Sequence, residues 1–151
     1  MEENNAFTIR GHRGDSLTIA YTQVYGFPAE TCHWGGYEVR ANIIINAGDF
    51  SVVSKFYTST GQIHSLFQQF VSCNESVNGI VSFASYEGNL EFAATYDFGG
   101  RIDINGTFRA NDQFDNELRF AFASDQTYIQ ETIKRMIPSI DKYGGNAGIA
   151  K

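Results

Sequence analysis

The chain has 151 residues and a formal net charge of -6, and hydrophobic residues make up 42% of it, including 13 Phe and 8 Tyr. A chain of this length fits one domain that buries about 70% of the surface exposed by the unfolded chain, and its aromatic content excludes a disordered protein. The acidic charge also argues against nucleic-acid binding, because phosphate contacts need clustered Lys and Arg, which the sequence lacks.

The amino-terminal residues Met1 to Asn5 are polar and acidic. They lack the basic and apolar regions of a signal peptide, and no run approaches the roughly 20 apolar residues of a membrane span. We therefore expect a cytoplasmic protein that does not bind membranes. Cys32 and Cys73 are too few for a disulfide framework, and in a reducing compartment we expect them to be partly buried, unpaired thiols.

Alternation of apolar and polar residues predicts strands in the first part of the chain. The first 25 residues predict a hairpin with a turn at residues 11–15, and residues 37–45 and 50–56 predict a second antiparallel pair. Between these pairs, residues 26–36 form a loop that contains Pro28, a Gly pair and Trp34. The period then changes to three and four residues, which predicts a helix over residues 62–71, with Thr58, Ser59 or Thr60 as its cap.

Three strands follow this helix, at residues 80–86, 90–98 and 101–108, and they are joined by turns of two or three residues. A last strand at residues 118–122 precedes a second amphipathic helix that Ser124 or Asp125 can cap. Such short turns exclude the crossover helices of a parallel sheet.

The predicted fold is therefore α+β, a mostly antiparallel sheet of about seven to eight strands in a meander, with one central and one C-terminal amphipathic helix. No linker or repeat divides the sequence. Residues 1–142 are predicted to form the single domain, and residues 143–151 are predicted to form a flexible Gly-rich tail.

No motif indicates catalysis, a metal or a cofactor. The candidate ligands are scattered and lack the paired spacing of structural zinc sites; they are His12, Cys32, His33, His64 and Cys73. Carboxylates occur at Glu87, Glu91, Asp97 and Asp103, but alternation turns Glu91 and Asp103 away from the core, as is ordinary for charges on the exposed face of a sheet. We therefore predict that the protein is not an enzyme.

Five residues are predicted to contact a partner. Trp34 lies in a Gly-rich loop, where an aromatic residue either anchors a protein interface or plugs the end of the sheet. Exposed carboxylates can form an acidic binding surface together with it, and these are Glu87, Glu91, Asp97 and Asp103.

Several stretches resemble a family of small bacterial proteins grouped with the immunity proteins of polymorphic toxin systems, the wall-associated toxin type among them. The matching stretches lie between about residues 34 and 140; they are Trp34 with residues 37–42, residues 62–71, residues 79–90 with the Glu87-Gly88-Asn89 turn, and residues 124–127. The resemblance implies a cytoplasmic protein that binds and blocks a cognate toxin domain without catalysis of its own. A basic toxin would suit the acidic charge.

Two alternatives remain open beside this hypothesis. The chain could be a small-ligand module that uses a concave sheet face, or an oligomeric module, because the outer strands of a meander present unpaired backbone groups. The sequence allows either a monomer or a homodimer.

Overall fold

The computed structural model of the protein describes residues 5–149 and confirms the α+β fold. Residues 1–4, at the start of the predicted domain, and residues 150–151, in the predicted tail, lie outside the described residues. In chain order the elements are β1 (Ala6–Arg10), β2 (Ser16–Tyr25), β3 (Glu38–Ala47), β4 (Phe50–Ser59), α1 (Thr60–Ser76), β5 (Ile80–Ala84), β6 (Leu90–Tyr96), β7 (Arg101–Arg109), β8 (Glu117–Asp125) and α2 (Gln126–Tyr143).

The eight antiparallel strands divide into two sheets instead of the single sheet predicted, because α1 separates β4 from β5. The first sheet has the order β1-β2-β3-β4 and the second has the order β5-β6-β7-β8, so each is a meander. Each sheet is followed by one helix. The order of four strands and a helix therefore occurs twice, although the sequence shows no repeat.

One hydrophobic core joins the two sheets and the two helices. On β3, every second residue from Val39 to Ile45 is fully buried, and on β7 Ile102 and Ile104 are fully buried in the same way. The helices add the stripes that the sequence predicts, which include Ile63, Leu66, Phe70, Ile129 and Met136. Because full burial of each large apolar side chain stabilises the fold by about 1.5–3 kcal/mol, this pattern fixes the register of every strand.

Each helix covers one edge of a sheet. The side-chain amide of Gln69 on α1 donates to the carbonyl of Ser82 at 3.0 Å and accepts from the Ser82 amide at 2.8 Å, so it bonds β5 as a neighbouring strand would. On the other sheet, the Thr132 hydroxyl of α2 donates to the carbonyl of Thr8 in β1 at 2.8 Å. Both contacts use backbone groups that an edge strand otherwise leaves open to pairing with another chain.

We expect the substitution Gln69→Leu to lower the free energy of unfolding by about 1 kcal/mol, because it removes both hydrogen bonds to Ser82. We also expect it to increase self-association, since the β5 edge is uncovered. Urea unfolding and size-exclusion chromatography with light scattering measure the two effects. Gln68→Leu is the matched control, since Gln68 is an exposed neighbour on α1; equal behaviour of the two variants would contradict this role of Gln69.

The helix caps follow the sequence. Ser59 caps α1, accepting from the Gln62 amide at 3.1 Å, and Asp125 caps α2, accepting from the Tyr128 amide at 2.9 Å. The second Asp125 oxygen lies 2.8 Å from Nε2 of His12. Partial burial raises the pKa of Asp125, but the hydrogen bonds from Tyr128 and His12 outweigh it, so the pKa lies below its ordinary value.

We expect Asp125→Ala to cost about 1 kcal/mol of stability at neutral pH, through loss of the cap. Because the pKa of Asp125 is lowered by folding, its stabilisation is fully present above the unfolded pKa of about 3.9 and is lost as the pH falls through the folded value. The difference from the unsubstituted protein should therefore shrink between about pH 5 and pH 2 in urea unfolding. Asp125→Asn, which keeps the cap, should stay closer to the unsubstituted protein at pH 7, and a difference independent of pH would show that the charge plays no part.

Candidate functional site

Trp34 stands on a loop that several hydrogen bonds hold in place. Its carbonyl accepts from the Ser59 hydroxyl at 3.3 Å, and the carbonyl of Gly35 accepts from the Gly61 amide at 3.1 Å. The loop therefore rests on the first turn of α1. Its conformation needs Gly36, where φ is +66°, a value that residues with a side chain rarely adopt. The backbone thus fixes the position from which the Trp34 side chain leaves the loop.

The segment after α2 binds the same loop. The Gly36 amide donates to the carbonyl of Asn146 at 2.7 Å, and the amide of Ile149 donates to the Tyr37 hydroxyl at 2.9 Å. That hydroxyl in turn donates to the carbonyl of Pro28 at 2.8 Å. Residues 146–149 thus hold the Trp34 loop through hydrogen bonds. The flexibility of residues 143–151 in solution stays a prediction.

The indole of Trp34 is 48% exposed and stacks on Tyr86 of the β5–β6 turn, with ring centroids 5.0 Å apart and an interplanar angle of 9°. The Tyr86 hydroxyl donates to Oε2 of Glu38 at 2.7 Å. Trp34 therefore packs against the end of the second sheet, and half of its surface stays exposed. Its role as the anchor of a protein interface stays a prediction.

Two further tyrosines extend this surface across the outer face of the first sheet. Tyr25 lies opposite Glu38 in the register of β2 and β3, and Tyr57 lies opposite Arg40 in the register of β3 and β4. We call Tyr25, Trp34, Tyr57 and Tyr86 the aromatic patch. Trp, Tyr and Arg are the residues that contribute most often to the energetic centres of protein interfaces.

The aromatic patch has charges of opposite sign at its two ends. At the Trp34 end, burial raises the pKa of Tyr86, and the nearby carboxylates of Glu38 and Glu87 raise it further. Burial and the neighbouring Tyr57 raise the pKa of Tyr25, and the carboxylate of Glu38 adds to this, while Arg40 lowers it in part. Carboxylates thus stand near Tyr86 at the Trp34 end, whereas Arg40 and Lys55 stand beside Tyr57 at the other end.

A groove of about 500 Å³ continues the aromatic patch toward the β7–β8 loop. It is bounded by Arg40, Lys55 and Tyr57 on one side and by residues 110–112 on the other. Phe114 of that loop is 66% exposed. The sequence singles out neither this loop nor the three tyrosines, and its only signal is that Tyr57 is out of phase with the core residues of β4.

The other predicted residues lie elsewhere. Glu91 and Asp103 point away from the core on the outer face of the second sheet, as alternation predicts. Asp103 pairs with Arg101 at 3.1 Å, and Asp97 accepts from the Phe98 amide at 2.6 Å in the β6–β7 turn. Of the five predicted residues, only Trp34 and Glu87 therefore belong to the aromatic patch or its rim.

A second, shallow groove of about 870 Å³ crosses the outer face of the second sheet. Small side chains line its centre, among them Ala93 and Ala121, while Glu91 and Arg119 stand on one side. We call it the outer-face groove. The residues around it also include Phe83, Phe92 and Phe120, whose side chains are buried in the core.

The described residues were also compared with the requirements of a metal site and of a membrane-spanning helix. Within residues 5–149, no three His, Cys, Asp or Glu side chains are grouped closely enough to hold a metal ion. In the same part of the chain, neither helix combines the length and the apolar character that crossing a membrane requires.

Comparison with known protein families places most of the chain in a described family. The model of the immunity protein WapI-like family matches residues 8–143. This match confirms the resemblance between residues 34 and 140 described above. Searches of curated proteins and of solved structures gave no match.

Proposed function

The chain belongs to the immunity protein WapI-like family, and we propose that it binds and neutralises a cognate toxin domain of a polymorphic toxin system without catalysing a reaction. Family membership over residues 8–143 is the observation that carries this proposal. Neutralisation would take place in the cytoplasm, before the toxin reaches its target in the producing cell.

The aromatic patch is the proposed binding surface. It combines a half-exposed Trp with three tyrosines and Arg40, a composition typical of the residues that dominate binding energy. The loop hydrogen bonds hold Trp34 in place before binding, so little conformational entropy is lost in the complex. Glu87 stands at its rim, and the net charge of -6 would speed the approach of a basic toxin.

Glu91, Asp97 and Asp103 are proposed as secondary contacts. Asp97 and Asp103 already have partners within the chain, so their carboxylates would have to exchange a hydrogen bond or an ion pair on binding. Glu91 is exposed beside the outer-face groove, and a partner that extends past the β5–β6 turn would reach it.

Co-expression tests the proposal directly. A toxin gene encoded next to this chain is induced in a bacterial host, with and without the chain, and survival is counted. We expect rescue by the unsubstituted chain and by Ser51→Arg, a control on the exposed face of β4, and no rescue by Tyr57→Arg. Failure of the unsubstituted chain to rescue cells from its neighbouring toxin would refute the proposal.

A small-ligand module remains the second candidate, and the outer-face groove is the observation that favours it. Its volume of about 870 Å³ falls within the usual range for ligand pockets, about 300–1,000 Å³. A ligand bound there should raise the midpoint of thermal unfolding, and Ala121→Arg, which fills the centre of the groove, should abolish that increase. Absence of any ligand-induced increase across a metabolite set would remove this candidate.

A further inference from the structure

The surroundings of Trp34 are unusual because aromatic rings and carboxylates meet there. Tyr86 lies parallel to the indole, and the ring of His33 stands nearly perpendicular to it, at 81° and a centroid distance of 4.9 Å. The indole nevertheless keeps 48% of its surface exposed. The three rings therefore form an open corner whose electron-rich faces are partly available to a ligand.

Carboxylates border this corner. Glu38 is fixed by its 2.7 Å hydrogen bond from Tyr86, and Glu87 is the exposed residue that follows Tyr86 in the chain. Glu38 through its hydrogen bond and Glu87 through its place in the chain thus put two carboxylates next to Tyr86, the ring on which Trp34 stacks. Arg40 is the nearest basic side chain on β3, the strand that carries Glu38. It lies two residues further along β3, where it pairs with Gln23 of β2 and Tyr57 of β4.

The geometry points to a receptor for a cationic side chain, in which Trp34 takes the guanidinium group of a partner arginine over its ring while Glu87 accepts its hydrogen bonds. This inference rests on the proposed function, since the arginine would belong to the bound toxin, and it names the chemistry of the group that docks at the Trp34 end.

A guanidinium group suits this corner better than an apolar side chain. Planar guanidinium stacks on aromatic faces and is attracted by the ring quadrupole, and its N–H groups match the two oxygens of a carboxylate. An apolar side chain would instead leave the Glu87 carboxylate without a partner as water is removed.

The test needs no toxin. Trp34 is the single tryptophan of the chain, so its fluorescence reports on this corner alone. The full chain is titrated with tetra-arginine amide and, separately, with tetra-citrulline amide, whose side chains have the same shape without the charge. Each titration is repeated with Glu87→Gln and with Glu131→Gln, an exposed control on α2 that makes the same change in net charge.

We expect a saturable fluorescence change with tetra-arginine and none with tetra-citrulline. Glu87→Gln should weaken tetra-arginine binding by about fivefold or more, and Glu131→Gln by less than about twofold. Equal weakening by the two variants, an equal response to citrulline, or no saturable change would overturn the inference. These outcomes would leave toxin neutralisation standing, whereas failed rescue with intact tetra-arginine binding would count against the proposed function alone.

Discussion

Replacing Trp34 with alanine is expected to weaken toxin binding about 100-fold. Trp34 combines a large exposed ring with a fixed loop, and truncating such a residue at an interface typically costs about 2–4 kcal/mol, where each 1.4 kcal/mol is tenfold in affinity. Isothermal titration of the purified chain with the purified toxin domain measures the dissociation constant, and circular dichroism confirms that the variant is folded.

Phe50→Ala is the matched control for Trp34→Ala. Phe50 is also an exposed aromatic residue, at 66%, but it lies at the opposite end of β4 from Ser59, which contacts the Trp34 loop. We expect Phe50→Ala to leave the dissociation constant within about threefold of the unsubstituted value. Equal losses for both variants, or unchanged binding of Trp34→Ala, would place the toxin on another surface.

Gly36→Ala should produce the largest loss of stability, about 3 kcal/mol or more. A methyl group at Gly36 would collide with the Thr60 hydroxyl and would lie 2.6 Å from the Gly61 backbone nitrogen. Thr60 has little room to move, because its hydroxyl accepts from the buried Tyr37 amide at 2.7 Å. The clash adds to the backbone strain at φ +66°, so the free energy of unfolding in urea should fall steeply.

Gly48→Ala separates the two causes of that loss. Gly48 has a similar φ of +59°, but a methyl group there meets nothing within 4 Å. It should therefore cost only the backbone strain, about 1–2 kcal/mol. Equal losses for the two variants would mean that the Trp34 loop is not packed against α1 as the structure has it.

The local structure of this chain could be predicted because its determinants are close together in sequence. Alternation fixed which residues of β3 and β7 face the core, and the side chains of Ser59 and Asp125 identified the helix starts. The turns at residues 87–89 and 99–100 are too short for anything except antiparallel neighbours. Each of these inferences uses residues within a few positions of one another.

The division into two sheets could not be predicted in the same way. Short turns determine pairing within each group of four strands, but α1 separates β4 from β5 by 17 helical residues. No local signal says whether the strands after it continue the first sheet or begin a second. Gln69 and Thr132 favour two sheets because each covers the edge of one of them. Their partners, Ser82 and Thr8, lie on other elements, so local patterns do not reveal these contacts.

The candidate site was only partly predictable for a related reason. A Trp in a Gly-rich loop is visible in the sequence, but its neighbour Tyr86 comes 52 positions later, and the contact depends on how the two sheets meet. Charge alone does not identify a binding site, because carboxylates are common on the outer faces of sheets. Asp103, for example, pairs with Arg101 of its own chain.

Affinity purification of the tagged chain from its native host, followed by mass spectrometry of the co-eluting proteins, tests toxin binding most directly. The expected result is one stoichiometric toxin domain that is recovered by the unsubstituted chain and by Phe50→Ala, is lost with Trp34→Ala, and kills cells that lack the chain. Recovery of the unsubstituted chain as a clean monomer, under conditions in which the toxin is produced, would contradict the proposed function.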